Sequence, residues 1–232
     1  MAKGIDARTS LLLGDDKLEA LQSSVVAVFG LGGVGGTAFE ALARSGVRKI
    51  YAIDCDVVEP SNLNRQILFT AGDIGEGKAE AAKRRASSIR DDVEVVAESY
   101  EVGEDTISEH DYSDVSLFID AVDDVKAKIA IMGLALSKGV PVISSLGMGN
   151  RLDPSKVYLT TLDKTEGDPL ARKVRSECRK KGLDLSKILC VVSGETPLRK
   201  LPEPASMMMV PSEAGLLIAS AAVSILSNRA VK

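Results

Sequence analysis

The stretch SSVVAVFGLGGVGGTAFEALARSGVRKIYAIDCDV, residues 23–57, decides the fold. VVAVFG (25–30) is a short apolar run that reads as a buried strand. The glycine-rich turn after it opens a run with apolar residues every three to four positions, which predicts a helix. KIYAID (49–54) is a second strand. Gly30, Gly32 and Gly35 match G-x-G-x-x-G between a strand and a helix, with Gly33 inside the same turn. Glycine permits the tight turn and the close approach of a phosphate, while the helix start offers unpaired N–H groups. Asp54 lies 24 residues beyond Gly30, where an acidic side chain can accept from ribose hydroxyls. A dinucleotide that accepts hydride and a triphosphate are served equally well by these residues alone.

Outward from this unit, VEVVAE (93–98), VSLFID (115–120), PVISSL (141–146) and KVYLTTL (156–162) read as further strands. GKAEAAKRRASSI and KAKIAIMGLALSKG read as helices between them. Strands alternating with helices predict an α/β fold, Rossmann-like and doubly wound, with a mainly parallel sheet and helices on both faces. After Asn150 come a charged helix over 168–181, two strands around a proline-rich loop in KILCVVSGETPLRKLPEPASMMMVP, and an apolar helix over 211–228. Ser220 and Ser224 interrupt that last helix, so core or interface packing is expected of it rather than a membrane span. The expected organisation is one domain over 1–232, with a nucleotide-binding core at 8–146 and a substrate-side extension at 147–232.

With 232 residues, 45% hydrophobic and 27% charged, the chain has enough apolar material for a large core without staples. A net charge of −4 gives no global nucleic-acid footprint, so a nucleic-acid partner needs a local basic patch. Cys55, Cys178 and Cys190 form no C-x-x-C pair and His110 is the one histidine, so no zinc is expected. MAKGIDARTSLLL contains no apolar run of signal-peptide length, and the expected location is cytoplasmic with no membrane partner.

DCDVVEPSNLNRQILFTAGDIGEGKAEAAKRR, after the second strand, separates the two nucleotide readings. A nicotinamide site needs no concentrated positive charge here, yet Arg65 and Lys78 both fall in this connection. Arginine as a planar fork and lysine as a point charge can converge on a triphosphate. Asp123, in DAVDD at a strand end, stands where sheet-end ligands bind and can hold magnesium. Any one of these charges alone reads as solvated surface. Their joint placement favours ATP over NAD.

GLGGVGG, DCDVVEPSNLNRQ, GEGKAEAAKRR and DAVDD together resemble, in order and spacing across residues 8–146, the ubiquitin-activating-type adenylyltransferases that include the ThiF, MoeB and HesA proteins. The resemblance implies that Asp54 binds ribose and that Asn62, Arg65 and Lys78 surround the phosphates. It further implies that Gln66 supports them, that Asp56 belongs to the same nucleotide-binding set, and that Asp123 directs Mg2+. Arg8, in ARTSLLLG, falls where such proteins send an arginine into the neighbouring subunit's ATP site, which implies a homodimer.

Residues 147–226 narrow the resemblance. GMGNRLDPSKVYLTTLDKTEGDPLARKVR, VVSGETP and MMMVPSEAGLLIASAAVSIL are similar to the tRNA threonylcarbamoyladenosine dehydratase subfamily. That likeness implies adenylation of a threonyl carboxylate on a modified tRNA adenosine, then ring closure with release of AMP. A cysteine desulfurase or sulfur-acceptor system is a further implied partner. The competing reading is activation of the C-terminal glycine of a ubiquitin-like sulfur carrier. It is weakened because many such activators hold zinc through two C-x-x-C pairs, which this chain lacks. The expected tRNA contacts are Arg172, Lys173, Arg175, Arg179 and Lys180, followed by Lys181, in one helix, with Arg172, Arg175 and Arg179 on one side. Cys190 is expected to pack as a small apolar residue, Cys178 to feel the positive helix, and Met207–Met209 to pack in a core or interface. His110 is expected on the surface, and Ser144 and Ser145 beside the site.

Overall fold

Alternation of apolar side chains between two faces organises the molecule, a computed structural model that describes residues 4–199 and 205–228. In chain order come α1 (Ala7–Leu13), α2 (Asp15–Gln22), β1 (Val25–Phe29), α3 (Gly33–Ser45), β2 (Lys49–Ile53), α4 (Lys78–Ile89) and β3 (Glu94–Glu98). Then follow β4 (Leu117–Asp120), α5 (Val125–Ser137), β5 (Val142–Ser145), β6 (Val157–Thr161), α6 (Pro169–Lys180), β7 (Ile188–Ser193) and α7 (Met209–Ser227). The sheet runs β3-β2-β1-β4-β5-β7-β6, and every pairing is parallel except β6 with β7.

Side chains along each strand point alternately to opposite faces. Val26, Val28, Ile50, Ala52, Leu117 and Ile119 join one core, beneath helices that include α3, α4 and α7. Ala27, Phe29, Tyr51, Ile53 and Phe118 join the other, beneath α5 and α6. Strands buried on both faces read as continuous apolar runs, which is why periodicity located them. Their observed bounds lie within one or two residues of the expected ones. Strand order reverses beside β1, whose neighbours are β2 and β4, and this opens a crevice at the carboxyl ends of those strands.

Two expectations change. Of the two strands expected in 187–211, only β7 forms; Ala205–Met208 is irregular and leads into α7. The proline-rich loop around Pro202 and Pro204 lies partly outside the described residues. Met207, Met208 and Met209 are all exposed rather than packed within the chain. Helix α7 is long and apolar enough to cross a membrane by length and composition, yet it packs in the core as expected. Here it serves as a core helix: Val210, Ala214, Ile218, Ala222 and Leu226 are buried against the first core. At its crossing with α3, a Cβ on Gly215 would stand 2.5 Å from the Val34 carbonyl oxygen. Glycine lets the two helices meet there.

Helices α1 and α2 are additions that the sequence pattern did not supply. They are anchored by the buried Asp6, whose carboxylate accepts from Arg90 Nη1 and Nη2 at 3.1 Å each, Arg48 Nη2 at 2.9 Å and Gln22 Nε2 at 3.0 Å. Arg90 also donates to the Ala43 carbonyl oxygen and to Asp92, so the end of α3, the start of β2 and the end of α4 are tied to the N-terminal segment. Removing one member of a buried, paired set strands the other charges. Asp6→Ala should therefore lower stability by about 3 kcal/mol in urea denaturation. A loss below about 1 kcal/mol, the range of exposed pairs, would show the set to be dispensable.

Candidate active site

A cavity of about 620 Å³ occupies the crevice beside β1. Its lining includes Gly30, Gly32, Gly33, Asp54, Asp56, Asn62, Arg65, Gln66, Lys78 and Asp123, ten of the residues expected from the sequence. Gly35 does not line it, and neither does Arg8 or any of the expected tRNA contacts on α6.

The floor is set by close backbone packing. Gly30 has φ +83°, and a Cβ there would lie 2.7 Å from the Ala121 carbonyl oxygen. A Cβ on Gly35 would lie 1.8 Å from the Gly30 carbonyl oxygen. Gly30 and the third glycine of the motif, Gly35, are thus packing requirements among β1, the end of β4 and α3. Helix α3 begins at Gly33 and presents its first-turn N–H groups to the cavity edge, the arrangement that receives anions.

Asp54 closes the rim at the end of β2. Its Oδ2 accepts from Leu31 N at 2.7 Å and its Oδ1 from Asp56 N at 2.9 Å, so the carboxylate fixes the turn. Burial pushes its pKa above the usual aspartate value, opposed by the positive charge of Lys78. Lys78, in the first turn of α4, is itself buried and donates from Nζ to Asp56 Oδ2 at 2.7 Å. A short capped turn at Pro60–Asn62 carries the next group: Asn62 Oδ1 accepts from Glu59 N at 3.1 Å. Arg65 follows, with Nη1 donating to the Ser61 carbonyl oxygen at 2.8 Å and to Asn64 Oδ1 at 2.9 Å. Gln66 is buried against the cavity, and its Oε1 has no hydrogen-bond partner among the described residues. That oxygen leaves an unused acceptor at the cavity wall. Asp123 is exposed to the cavity from the loop after β4, while Asp124 caps α5 by accepting from Ala127 N.

The loop after β3 was not anticipated. Tyr100, Glu101 and Val102 line the cavity together with Val122 and Ala127, so Tyr100, Val102, Val122 and Ala127 add apolar surface to a polar rim. The rule that ligands bind beyond the carboxyl ends of strands at the reversal point would have flagged the residues after Glu98. Burial raises the Tyr100 phenol to about 12, so it stays neutral. His110 is not simply on the surface. Its ring stacks on Tyr100 at 3.8 Å between centroids and its Nδ1 lies 3.3 Å from Glu98 Oε2.

The other tempting residues resolve clearly. Cys178 is buried beside Met132, 3.7 Å between sulfurs, and burial raises its pKa to about 11; the helix charge does not activate it. Cys190 is buried on β7 and its pKa is likewise raised by burial, as expected of an apolar packer. Cys55 is exposed and lines the cavity; burial of the sulfur and then the neighbouring Asp56 and Asp54 raise its pKa. Ser144 and Ser145 are buried and do not line the cavity.

Helix α6 buries Ala171, Val174 and Cys178 and exposes Arg172, Lys173, Arg179 and Lys180. Arg175 departs from the expected array by turning back to donate to the carbonyl and hydroxyl of Thr165. Lys180 pairs with Glu177 and Lys181 with Glu104. The start of the helix is placed by Asp168, which accepts from Gly147 N at 2.8 Å and from Leu170 N in its own first turn. Gly147 follows the carboxyl end of β5, which is parallel to β4, so the start of α6 lies at the carboxyl end of the sheet, while Arg172 lines a separate hollow with Gly167, Asp168 and Arg175.

A parallel sheet with a glycine turn, two cations and an exposed carboxylate at its reversal point defines a nucleotide-binding α/β protein. The chain belongs to the ThiF family, whose model matches residues 7–231. Over 231 residues it is 35% identical to the tRNA threonylcarbamoyladenosine dehydratase of Bacillus subtilis (strain 168), covering 91% of this chain and 90% of that protein. The enzyme of the same name from Escherichia coli (strain K12) is 34% identical over 171 residues, 74% of this chain and 64% of its own length. A crystal structure of the Escherichia coli enzyme, TcdA, in complex with ATP superposes with a TM-score of 0.89 at 31% identity, covering 95% of this chain and 93% of that one.

The packing at the turn gives a direct test. Gly35→Ala must displace the Gly30 carbonyl and is expected to cost about 3 kcal/mol or more, at or beyond the upper end of ordinary overpacking. Gly32→Ala, whose Cβ would meet only Gln66 Nε2 at 3.7 Å, should fold normally. Equal urea midpoints for the two variants would refute the packing role of Gly35.

Proposed function

We propose that this chain is an ATP-dependent tRNA threonylcarbamoyladenosine dehydratase. The observation that carries the reading is the cavity in which Arg65, Lys78, Asn62 and Asp123 meet the glycine turn, in a chain alike over nearly its full length to enzymes of that name. The reaction begins when the threonyl carboxylate of the modified nucleoside attacks the α-phosphorus of ATP and pyrophosphate leaves. The neighbouring carbamoyl group then attacks the acyl carbon, AMP departs with the carboxylate oxygen, and a ring closes. The net change is loss of one water from the nucleoside.

No protein nucleophile is needed, which accords with two buried cysteines whose thiols are held protonated. What the chain supplies is position and charge. Two anions must be brought together, and preorganised cations lower the cost of charge building on the phosphate. Lys78 and Arg65 are held in place by Asp56 and by the Ser61 and Asn64 oxygens, so little reorganisation is required during reaction. Asn62 and Gln66 add amide groups at the same wall, the latter with an acceptor awaiting a donor. Asp54 serves the ribose hydroxyls. The exposed carboxylate of Asp123 fits Mg2+, which is commonly held by one or two carboxylates together with substrate phosphates. Such an ion would offset phosphate charge; Asp123 is the residue that would hold it.

Residues 147–232 form the substrate side of a single functional unit in this reading. Arg172, Lys173 and Arg179 contact tRNA phosphates, with Arg175 and Lys180 contributing after release from their internal partners. Arg8, exposed on α1, reaches the site of a second copy in a homodimer. The reaction itself requires no sulfur-transfer partner.

The decisive assay is incubation with ATP, Mg2+ and tRNA bearing the threonylcarbamoyl group, followed by mass spectrometry of the nucleosides. Loss of one water is expected, and Arg65→Ala should slow it by roughly 10²–10³-fold, as for removal of one transition-state donor. Unchanged tRNA together with adenylation of a carrier protein ending in glycine would replace this reading with its competitor.

The raised pKa of Asp54 adds a pH signature. Its ribose-accepting carboxylate is lost as pH falls through a value above that of an ordinary aspartate. Its contribution to stability runs the other way, being present at low pH and lost as pH rises through the folded-state pKa. Adenosine, which carries no titrating phosphate, should therefore bind more weakly on mild acidification, by calorimetry, without a matching loss of stability from this group. Affinity that is flat down to the ordinary aspartate range would remove Asp54 from the ribose.

A further inference from the structure

The helix α5 is almost wholly apolar on its inner side, yet at its second turn it buries a lysine. Lys128 and Asp120, at the end of β4, are both 0% exposed. Lys128 Nζ donates to the two carboxylate oxygens at 3.2 and 3.1 Å and to the Ser145 carbonyl oxygen at 2.6 Å. Ser144 Oγ donates to Asp120 Oδ2 at 2.5 Å, and Asp120 Oδ1 accepts from Val122 N at 3.3 Å. An ammonium has three protons, and these acceptors occupy them.

Stability alone does not account for such a pair. Desolvating two charges costs several kcal/mol per ion, and apolar residues of like volume commonly replace a buried pair with no loss. Its placement gives a different reason. It joins the ends of β4 and β5 to the first turns of α5, and the four residues between Asp120 and Val125 are the loop that carries Asp123 into the cavity. In that loop Ala121 N donates to the Phe29 carbonyl oxygen at 2.8 Å, while the Ala121 carbonyl lies against Gly30. On its other side β5 continues to Gly147, which is held by Asp168 at the start of α6.

We infer that Lys128 is a positioning residue for the reaction proposed above. By fixing Asp120 and the Ser145 carbonyl in one buried set, it holds the 121–124 loop so that Asp123 meets Mg2+ and the phosphates. The inference rests on that functional reading for its catalytic consequence. Lys128 itself does not line the cavity.

Lys128→Met leaves Asp120 buried and uncompensated and is expected to fold poorly. The informative protein is the double variant Asp120→Asn with Lys128→Met, which removes both charges and should unfold within a few degrees of the natural chain. In that variant amide hydrogen exchange at 121–124 should quicken roughly tenfold or more, and the Mg2+ concentration needed for half of the metal's effect on ATP binding should rise by a similar factor. Its kcat should fall further than its KM for ATP changes, since small misplacement of reacting groups is costly in rate. A double variant with unchanged exchange at 121–124, unchanged Mg2+ dependence and unchanged kcat would reduce the pair to a structural one and overturn the inference. Failure of the natural chain to bind ATP would sink the functional reading instead. The exchange measurement needs no ligand and would still decide whether Lys128 fixes the loop.

Discussion

The molecule turns on one place where backbone must touch backbone. Gly30 leaves β1 with positive φ and lies against the Ala121 carbonyl at the end of β4, and Gly35 brings the first turn of α3 down on the Gly30 carbonyl. No side chain fits at either contact. Because β1 and β4 are neighbours at the point where strand order reverses, that contact also sets the floor of the cavity. Everything that approaches a nucleotide here, including the helix N–H groups, Asp54 and the loop bearing Asp123, is positioned from it.

Around that floor the charges fall into two kinds. Lys78 and Arg65 stand at the cavity, the lysine steadied by Asp56 and the arginine by two oxygens that both engage Nη1, so they keep capacity for a ligand. Lys128, Asp120, Arg90 and Asp6 are buried away from it and are matched within the chain. The second kind fixes elements relative to one another: Asp6 the N-terminal helices on α4, Asp120 and Lys128 the strand ends on α5. A matched buried pair can specify geometry while adding little to stability. An incompletely matched one at a cavity provides recognition.

Much of this was legible in the sequence because parallel strands buried on both faces are unbroken apolar runs and because the glycine turn has a fixed chemistry. Ten expected residues do meet in one cavity. What was not legible depends on pairing in space. Tyr100, Glu101 and Val102 reach the site from a loop with no motif of its own. Lys128 lies in a segment whose periodicity announced only an apolar helix, and nothing in that pattern pairs it with Asp120. Arg175 satisfied the spacing rule for a basic face, but spacing cannot show that Thr165 lies within reach. Helices α1 and α2 are too short and polar for a strong pattern and are held by Asp6 through residues 16 to 84 positions away.

The central claim is that the cavity transfers AMP to a carboxylate. It is tested most directly by placing oxygen-18 in the threonyl carboxylate of threonylcarbamoyl-tRNA and following the label through one turnover with ATP. Passage through an acyl-adenylate requires one labelled oxygen in the AMP released. Unlabelled AMP, or label appearing in inorganic phosphate, would contradict it.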